Sequence, residues 1–263
     1  MPSRLQELTG VEFPLFAFSH CRDVVVAVSR AGGFGVLGGT GYTPESLEEE
    51  LRWIDKHVDG KPYGVDILIP ENMSLPPGIT GETLAASIPE QHVAFTQQLL
   101  EKAHVPSQRE GLVQTTTPGV AHEVAEQLLD VAFAHPIKLI ANALGIAPPM
   151  MIERARKSGV PVAALVGAKE HALRQAKAGV DIIVAQGTEA GGHCGEVSTL
   201  VLIPEVVRAL QAVGLDLPVL AAGGIMTGAQ MAGMMAMGAA GAWMAQAEEV
   251  VAVSVSILLW SEE

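Results

Sequence analysis

Eight short apolar segments, each bounded by glycine or proline, recur along the chain and constrain its fold more than any other feature. Most of them lack the alternation of polar and apolar residues that a strand shows when one of its faces meets water. Uninterrupted apolar strands are typical of parallel sheets that are covered on both faces. The segments span residues 13–18, 33–38, 63–69, 137–143, 160–167, 180–187, 217–224 and 239–245.

Helix-like segments separate these strands, and several have recognisable ends. Thr43 followed by Pro44 predicts the N-cap and the first position of a helix. Two later helical segments stop at Gly159 and Gly179, a spacing that accommodates one helix and one strand. Eight strands joined in this way predict a single α/β domain over residues 1–263, a (β/α)8 TIM barrel rather than an open doubly wound sheet.

Two regions depart from the regular alternation. Residues 70–136, after the third strand, open with a proline- and glycine-rich stretch and then contain helix-like segments at 89–103 and 119–132. We expect a helical insertion over one rim of the barrel, which either covers a pocket or has no chemical consequence. Residues 246–263 form an atypical and short C-terminal tail, an apolar run that would pack across the barrel, join a homodimer or mark an altered gene product.

Composition and spacing exclude several functional classes. A formal net charge of −13 with no local basic cluster disfavours nucleic acid as a partner. Two cysteines, Cys21 and Cys194, make no disulfide framework, and the N-terminus lacks the apolar core of a signal peptide, so we expect a cytoplasmic protein. The eight histidines show no metal-binding spacing, so no metal site is expected.

An uncharged stretch from Leu217 to Ala247 resembles a membrane span in its composition. A glycine pair and a later glycine-rich break divide it into a strand-like run, a short helix and a second strand-like run, whereas a membrane helix would be continuous. We therefore expect no membrane contact and assign the stretch to two barrel strands joined by a helix.

A polar, glycine-rich loop follows the sixth predicted strand and reads QGTEAGGHCGEVST. Active sites of such barrels lie at the C-terminal ends of the strands, and this loop carries Gln186, Glu189 and His193 there. Its glycines allow the backbone to approach a flat ligand closely. His193 is either a catalytic group or a structural hydrogen-bonding residue, and Glu189 is expected to cap or hydrogen-bond its own loop.

Two further glycine patterns have different interpretations. GFGVLG, with Gly33, Gly35 and Gly38, matches a dinucleotide fingerprint, but a helix precedes it and it contains a strand, so the context is wrong. AAGGIMTG places Gly223 and Gly224 after the seventh strand and before a helix. Free backbone N–H groups at such a helix start bind phosphate, so this loop predicts a phosphate site.

Four segments together resemble the nitronate monooxygenase family and its relative, the flavin-dependent enoyl-acyl carrier protein reductase. They are FPLFAFSHCRDVVVAVSRAGGFGVLGG, YGVDILIP, VDIIVAQGTEAGGHCG and PVLAAGGIMTGAQMAGMMAMGAAGAWM, and AQGTEAGGH is the most specific motif. The resemblance implies an FMN-containing TIM barrel that oxidises an alkyl nitronate with O2 to a carbonyl compound and nitrite. His193 matches the catalytic histidine, which would remove a proton from a nitroalkane or stabilise the nitronate anion.

The resemblance also implies a set of FMN contacts at the ends of the strands. They map onto Ala17, Phe18, Asp66, Gln186, Gly191, Gly192, Ala222, Gly223, Gly224, Trp243, Met244, Ala245 and Gln246. The chain departs from the family at several of these positions. Asp66 replaces a common asparagine, and Ala245 and Gln246 replace the glycine and the serine or threonine that contact phosphate.

Two alternative functions stay open at this level. One is a flavin-dependent reductase that uses NAD(P)H to reduce enoyl thioesters or quinones. The other is a catalytically inactive barrel that acts as a binding module because its phosphate loop and C-terminus have changed.

Overall fold

Eight parallel strands close into one barrel in chain order, in a computed structural model that describes residues 2–69, 86, 88–105 and 122–245. The strands are β1 Leu15–Ser19, β2 Phe34–Gly38, β3 Tyr63–Asp66, β4 Ile140–Asn142, β5 Val162–Val166, β6 Ile182–Gln186, β7 Val219–Ala222 and β8 Gly241–Met244. Pairing of β1 with β8, for example Ala17 with Met244, completes the ring. The predicted TIM barrel is confirmed, and each observed strand overlaps one predicted apolar segment.

One helix precedes the first strand, and the other described helices follow strands along the chain. They are α1 Arg4–Thr9, α2 Arg22–Arg30, α3 Pro44–His57, α4 Glu90–Lys102, α5 His122–Ala134, α6 Pro149–Ser158, α7 Lys169–Ala178, α8 Thr199–Ala212 and α9 Gly228–Ala236. The predicted ends are confirmed. The Thr43 side chain accepts a hydrogen bond from the Ser46 amide at the start of α3, and Gly159 and Gly179 end α6 and α7 in the left-handed conformation.

The strands separate two apolar cores because alternate side chains point to opposite faces. Inside the barrel, Phe16 stacks between Phe34 and Trp243, with ring centroids 4.7 and 6.0 Å apart. Outside the barrel, a larger core of branched side chains fills the layer between strands and helices. Ala17 and Met244 belong to this outer layer, so their side chains point away from the barrel interior.

The region after β3 is only partly described. Helix α5 packs beside α3 in the outer layer, with Leu128 and Leu129 fully buried. Helix α4 has no buried residue. A cover formed by residues 70–136 over the barrel rim stays a prediction, since much of this segment and the tail 246–263 lie outside the described residues.

Two sequence patterns that imitate other structures are explained by the barrel. A β-carbon at Gly35 would lie 2.3 Å from the carbonyl oxygen of Val25, so this glycine allows α2 to pack against β2 rather than binding a dinucleotide. The uncharged stretch that begins at Leu217 forms β7, α9 and β8. In the part of the chain that the structure describes, no helix has the length and hydropathy needed to cross a membrane.

Candidate active site

The loop between β6 and α8 is fixed at the C-terminal mouth of the barrel by close backbone contacts. A β-carbon at Gly187 would lie 2.2 Å from the amide nitrogen of Thr199, and one at Gly195 would lie 2.3 Å from the carbonyl oxygen of Gly167. No side chain fits at either position without moving backbone. These two glycines therefore determine where the intervening loop, with His193, is placed.

Glu189 fixes the same loop to the start of α8. Its Oε2 accepts hydrogen bonds from the Thr199 amide at 2.8 Å and from the Thr199 hydroxyl at 2.9 Å. It also accepts one from the hydroxyl of its neighbour Thr188 at 3.3 Å. The backbone hydrogen bond from Thr199 lowers the pKa of Glu189, because it favours the ionised carboxylate. The prediction of a local structural role for Glu189 is confirmed.

Gln186 and His193 line the same cavity, which has a volume of about 370 Å³. Gln186 is the half-buried last residue of β6, and His193 is exposed on the loop that follows it. The His193 imidazole forms no hydrogen bond with any described residue, so both of its ring nitrogens are available to a ligand. Apolar side chains, including Leu144, Ile146 and Leu165, form much of the remaining wall.

The loop after β7 lies against the histidine-bearing loop. A β-carbon at Gly223 would lie 2.8 Å from the hydroxyl oxygen of Thr199 and 3.0 Å from the carbonyl oxygen of Gly187. Gly223 and Gly224 have φ angles of 103° and 70°, which favour glycine. The structure thus brings Gln186, His193 and Gly223 to one end of the barrel, although Gly223 does not line the 370 Å³ cavity.

Asp66 ends β3 at the same mouth and is 5% exposed. No described residue donates a hydrogen bond to its carboxyl group; its backbone carbonyl accepts one from the Gly39 amide. Burial raises the pKa of Asp66 to about 7, because the ionised form loses hydration. A carboxyl group that accepts no hydrogen bond from the described residues suits a site where a ligand supplies one.

The other residues that the resemblance implies as FMN contacts lie in different environments. Phe18 packs against the barrel interior and meets the ring of His20 edge-on, with centroids 5.1 Å apart. Ala222 lines the interior, while the Trp243 side chain is occupied by its stack on Phe16. Gly191 and Gly192 have positive φ and open space around them, and Ala245 is exposed. Gln246 lies outside the described residues.

Cys194 and His193 are adjacent in sequence but do not form a hydrogen-bonded pair of nucleophile and base in the described part of the chain. The Cys194 thiol donates to the carbonyl oxygen of Thr188 at 3.6 Å, and it makes no hydrogen bond to His193 within the described region. Cys21 and Cys194 are both exposed free cysteines. Among the described residues, no group of three or more histidine, cysteine or acidic side chains could hold a metal ion.

Sequence reasoning missed the side of the cavity that α7 supplies. His171, Arg174 and Gln175 all line the cavity from this helix. Their sequence segment shows only a helical pattern, and no motif distinguishes them from surface residues. The missing information is tertiary, because the packing of α7 beside β5 brings them to the mouth of the barrel.

Comparison with known proteins agrees with this architecture. A Mycobacterium tuberculosis protein named as a candidate monooxygenase is 51% identical over 247 residues, which cover 92% of this chain and 65% of the relative. A Staphylococcus aureus protein named probable nitronate monooxygenase is 26% identical over 259 residues, which cover 93% of this chain and 67% of the relative. The chain thus spans about two thirds of the length of these relatives.

Among solved structures, the M276A mutant of FabK from Thermotoga maritima matches with a TM-score of 0.67 and 25% identity, over 93% of this chain and 64% of that one. A family model described as nitronate monooxygenase matches residues 3–248, which is almost the whole chain. The chain therefore belongs to the nitronate monooxygenase family, a family of oxidoreductases.

Proposed function

We propose that the chain is an FMN-dependent monooxygenase that oxidises alkyl nitronates with O2 to a carbonyl compound and nitrite. The observation that carries the proposal is the shared cavity of Gln186 and His193 at the C-terminal mouth of the barrel. A hydrogen-bonding amide and an imidazole without a described partner are thereby both available to a ligand in this cavity. Family membership supports the choice of reaction.

The residues at the mouth fit a flavin mononucleotide. The Asp66 carboxyl accepts no hydrogen bond from the part of the chain that the structure describes, and it could pair with a ring N–H group. Neither the amide of Gly224 nor that of Ile225 donates a hydrogen bond to a described residue, so both are available to a phosphate beside α9. Gly191 and Gly192 leave open space for a flat ring. A bound flavin supplies the transfer of electrons from nitronate to oxygen, which side chains cannot perform.

His193 would act on the substrate from the cavity wall. A nitronate is planar and negatively charged, and an imidazole N–H can donate a hydrogen bond to one of its oxygens. If the substrate arrives as a neutral nitroalkane, the unprotonated nitrogen of a neutral imidazole can accept the proton from the carbon that carries the nitro group. Gln186, fixed at the end of β6, would orient the nitro oxygens relative to His193.

A second candidate function is favoured by the similarity to FabK. In this case the same flavin site would take electrons from NAD(P)H and reduce an enoyl thioester or a quinone. The two candidates differ in the electron donor. Oxidation of NADH by the purified protein, with an enoyl thioester or a quinone as the acceptor, would therefore support the reductase rather than the nitronate monooxygenase.

The test combines spectroscopy with product analysis. Purified protein should show flavin absorption bands, and with propyl nitronate it should consume O2 and form nitrite. His193→Asn should lower kcat/KM by roughly 100-fold or more, the usual range for a lost acid–base group. His92→Asn is the matched control, because His92 is exposed on α4, which has no buried residue. A colourless protein that rejects added FMN would instead indicate a binding module.

A further inference from the structure

The Thr199 hydroxyl lies where the loop after β6 and the loop after β7 meet. The Thr199 residue is only 3% exposed. Its hydroxyl oxygen is 2.9 Å from Glu189 Oε2, 2.9 Å from the carbonyl oxygen of Gly223 and 3.2 Å from that of Ala222. All three neighbours are acceptors, whereas a hydroxyl group has a single proton to donate. The three acceptors therefore compete for one hydrogen bond.

The carbonyl group of Gly223 depends on this proton more than the other two acceptors do. Glu189 Oε2 also accepts a hydrogen bond from the Thr199 amide at 2.8 Å, and the Ala222 carbonyl accepts one from the Gly187 amide at 3.0 Å. In the described part of the chain, no donor other than the Thr199 hydroxyl reaches the Gly223 carbonyl. Gly223 is half-buried, and a carbonyl group shielded from water is costly to leave without a donor.

The carbonyl of Gly223 and the amide of Gly224 belong to one peptide unit. The described residues contain no cis peptide bond, and in a trans peptide the C=O and N–H groups point in opposite directions. Because the carbonyl points at Thr199, the N–H of Gly224 points away from it. This N–H donates to no described residue, and Gly224 is exposed. The buried hydroxyl thereby orients a free N–H group at the mouth of the barrel.

This N–H group belongs to the candidate phosphate site and not to the cap of the next helix. Before α9, the amides of Met226 and Thr227 both donate to Oε1 of Gln230, at 2.8 and 3.0 Å. The amides of Gly224 and Ile225 have no acceptor among the described residues. Successive free N–H groups in a loop before a helix are typical of phosphate sites.

We propose that Thr199 is a positioning residue for the phosphate group of FMN, because its hydroxyl holds the peptide between Gly223 and Gly224 with the N–H available to that phosphate. This inference rests on the proposed flavin dependence. A hydrogen bond to the carbonyl also polarises the peptide, which strengthens its N–H as a donor. Thr199 acts through the backbone, so it requires no contact of its own with the flavin.

The test compares FMN with riboflavin, which has the same ring and ribityl chain but no phosphate. Thr199→Val keeps the shape of the side chain and removes the hydroxyl. Titration of the flavin-free full chain, followed by flavin fluorescence, measures both dissociation constants. We expect the constant for FMN to rise by roughly 10-fold, about the contribution of one hydrogen bond. The constant for riboflavin should not change, and Thr199→Ser, which keeps the hydroxyl, should restore the affinity for FMN.

Thr9→Val is the matched control. The Thr9 residue is 1% exposed, and its hydroxyl donates to the carbonyl oxygen of Leu5 at 2.8 Å within α1, before the first strand. It should leave both dissociation constants unchanged. Thr199→Ala removes the hydroxyl without placing a methyl group in its position, and it should show the same selective loss as Thr199→Val if the latter does not fold.

These binding measurements require no turnover, so they separate failure of this inference from failure of the proposed function. Selective loss of FMN affinity in the variants without the Thr199 hydroxyl supports the positioning role even if the protein oxidises no nitronate. An equal loss of affinity for both flavins would indicate a general packing defect and would overturn the inference. Unchanged FMN affinity in these variants, or a wild type that binds FMN no more tightly than riboflavin, would overturn it as well.

Discussion

Gly195 lies so close to Gly167 that a β-carbon at position 195 would be 2.3 Å from the carbonyl oxygen and 2.8 Å from the α-carbon of Gly167. This contact joins the loop that carries His193 to the end of β5. Both partners are backbone, so neither can rotate away as a side chain would. The position of His193, the candidate catalytic group, therefore depends on the absence of a side chain at Gly195, two residues later.

Gly195→Ala should displace the loop and misplace His193 while the barrel stays folded. We expect kcat/KM to fall by about 100-fold, as for a catalytic group moved by roughly 1 Å, with an unchanged far-UV circular dichroism spectrum. Gly233→Ala is the matched control, since Gly233 is in α9 with nothing within 4 Å of its added β-carbon. It should retain activity and gain up to about 1 kcal/mol of stability from higher helix propensity. Full activity in Gly195→Ala would show that the loop tolerates displacement.

His135 forms a partly buried bridge from the end of α5 to α3. Its Nδ1 lies 2.6 Å from Asp55 and its Nε2 lies 2.8 Å from Glu48, and its side chain is 9% exposed. Burial alone lowers the pKa of His135, but the hydrogen bonds to Asp55 and Glu48 outweigh it, so the pKa is raised. The protonated imidazole donates to both carboxylates and connects two outer helices.

His135→Gln should lower the free energy of unfolding by about 2 kcal/mol at pH 6, from lost hydrogen bonds to charged groups. The stabilisation from a raised pKa is complete below the unfolded value of about 6.5 and is lost as the pH rises through the folded value. Urea unfolding of the wild type and His135→Gln at pH 6 and pH 9 measures the difference between their free energies of unfolding, which should be smaller at pH 9. His92→Gln should have the same free energy of unfolding as the wild type at both pH values. A difference between the wild type and His135→Gln that does not depend on pH would contradict the charged bridge.

The strands could be predicted because apolar periodicity is a local property. The predicted segments extend beyond the observed strands, for example 217–224 against Val219–Ala222, because the flanking proline and glycines already belong to loops. Gln186 and His193 could be predicted together because one continuous loop carries both. Neighbouring loops of a barrel also meet by topology, which is why Gly223 could be placed at the same end.

Other features depend on contacts between distant segments and could not be predicted. Arg174 belongs to an ordinary helical pattern, and the packing of α7 beside β5 and the loop after β4 brings it to the cavity. Helix α5 belongs to a segment without strands, which suggested an insertion, yet it packs beside α3. The sequence identifies Asp66 as an acid at the end of a strand but does not reveal that its side chain is only 5% exposed.

Asp66 should make the stability of the flavin-free protein depend on pH. Its pKa is raised to about 7 by burial, whereas an unfolded chain releases this proton near about pH 3.9. Between these values the folded state holds one more proton than the unfolded state, so the free energy of unfolding falls as the pH rises from about 4 to about 7. Well above pH 7 the carboxyl group is ionised in both states, so the free energy of unfolding stops falling.

Asp66→Asn removes this titration while keeping the size of the side chain. The variant should therefore unfold at a higher temperature than the wild type at pH 8, and the difference should shrink towards pH 4.5, where the wild-type carboxyl is protonated in the folded state. Thermal unfolding followed by circular dichroism measures both. Asp216→Asn, at an exposed position before β7, should have the same unfolding temperature as the wild type at each pH. Parallel pH profiles of the wild type and Asp66→Asn would mean that the carboxyl gains a partner in solution, and the fit of this group to a flavin N–H would then lose its support.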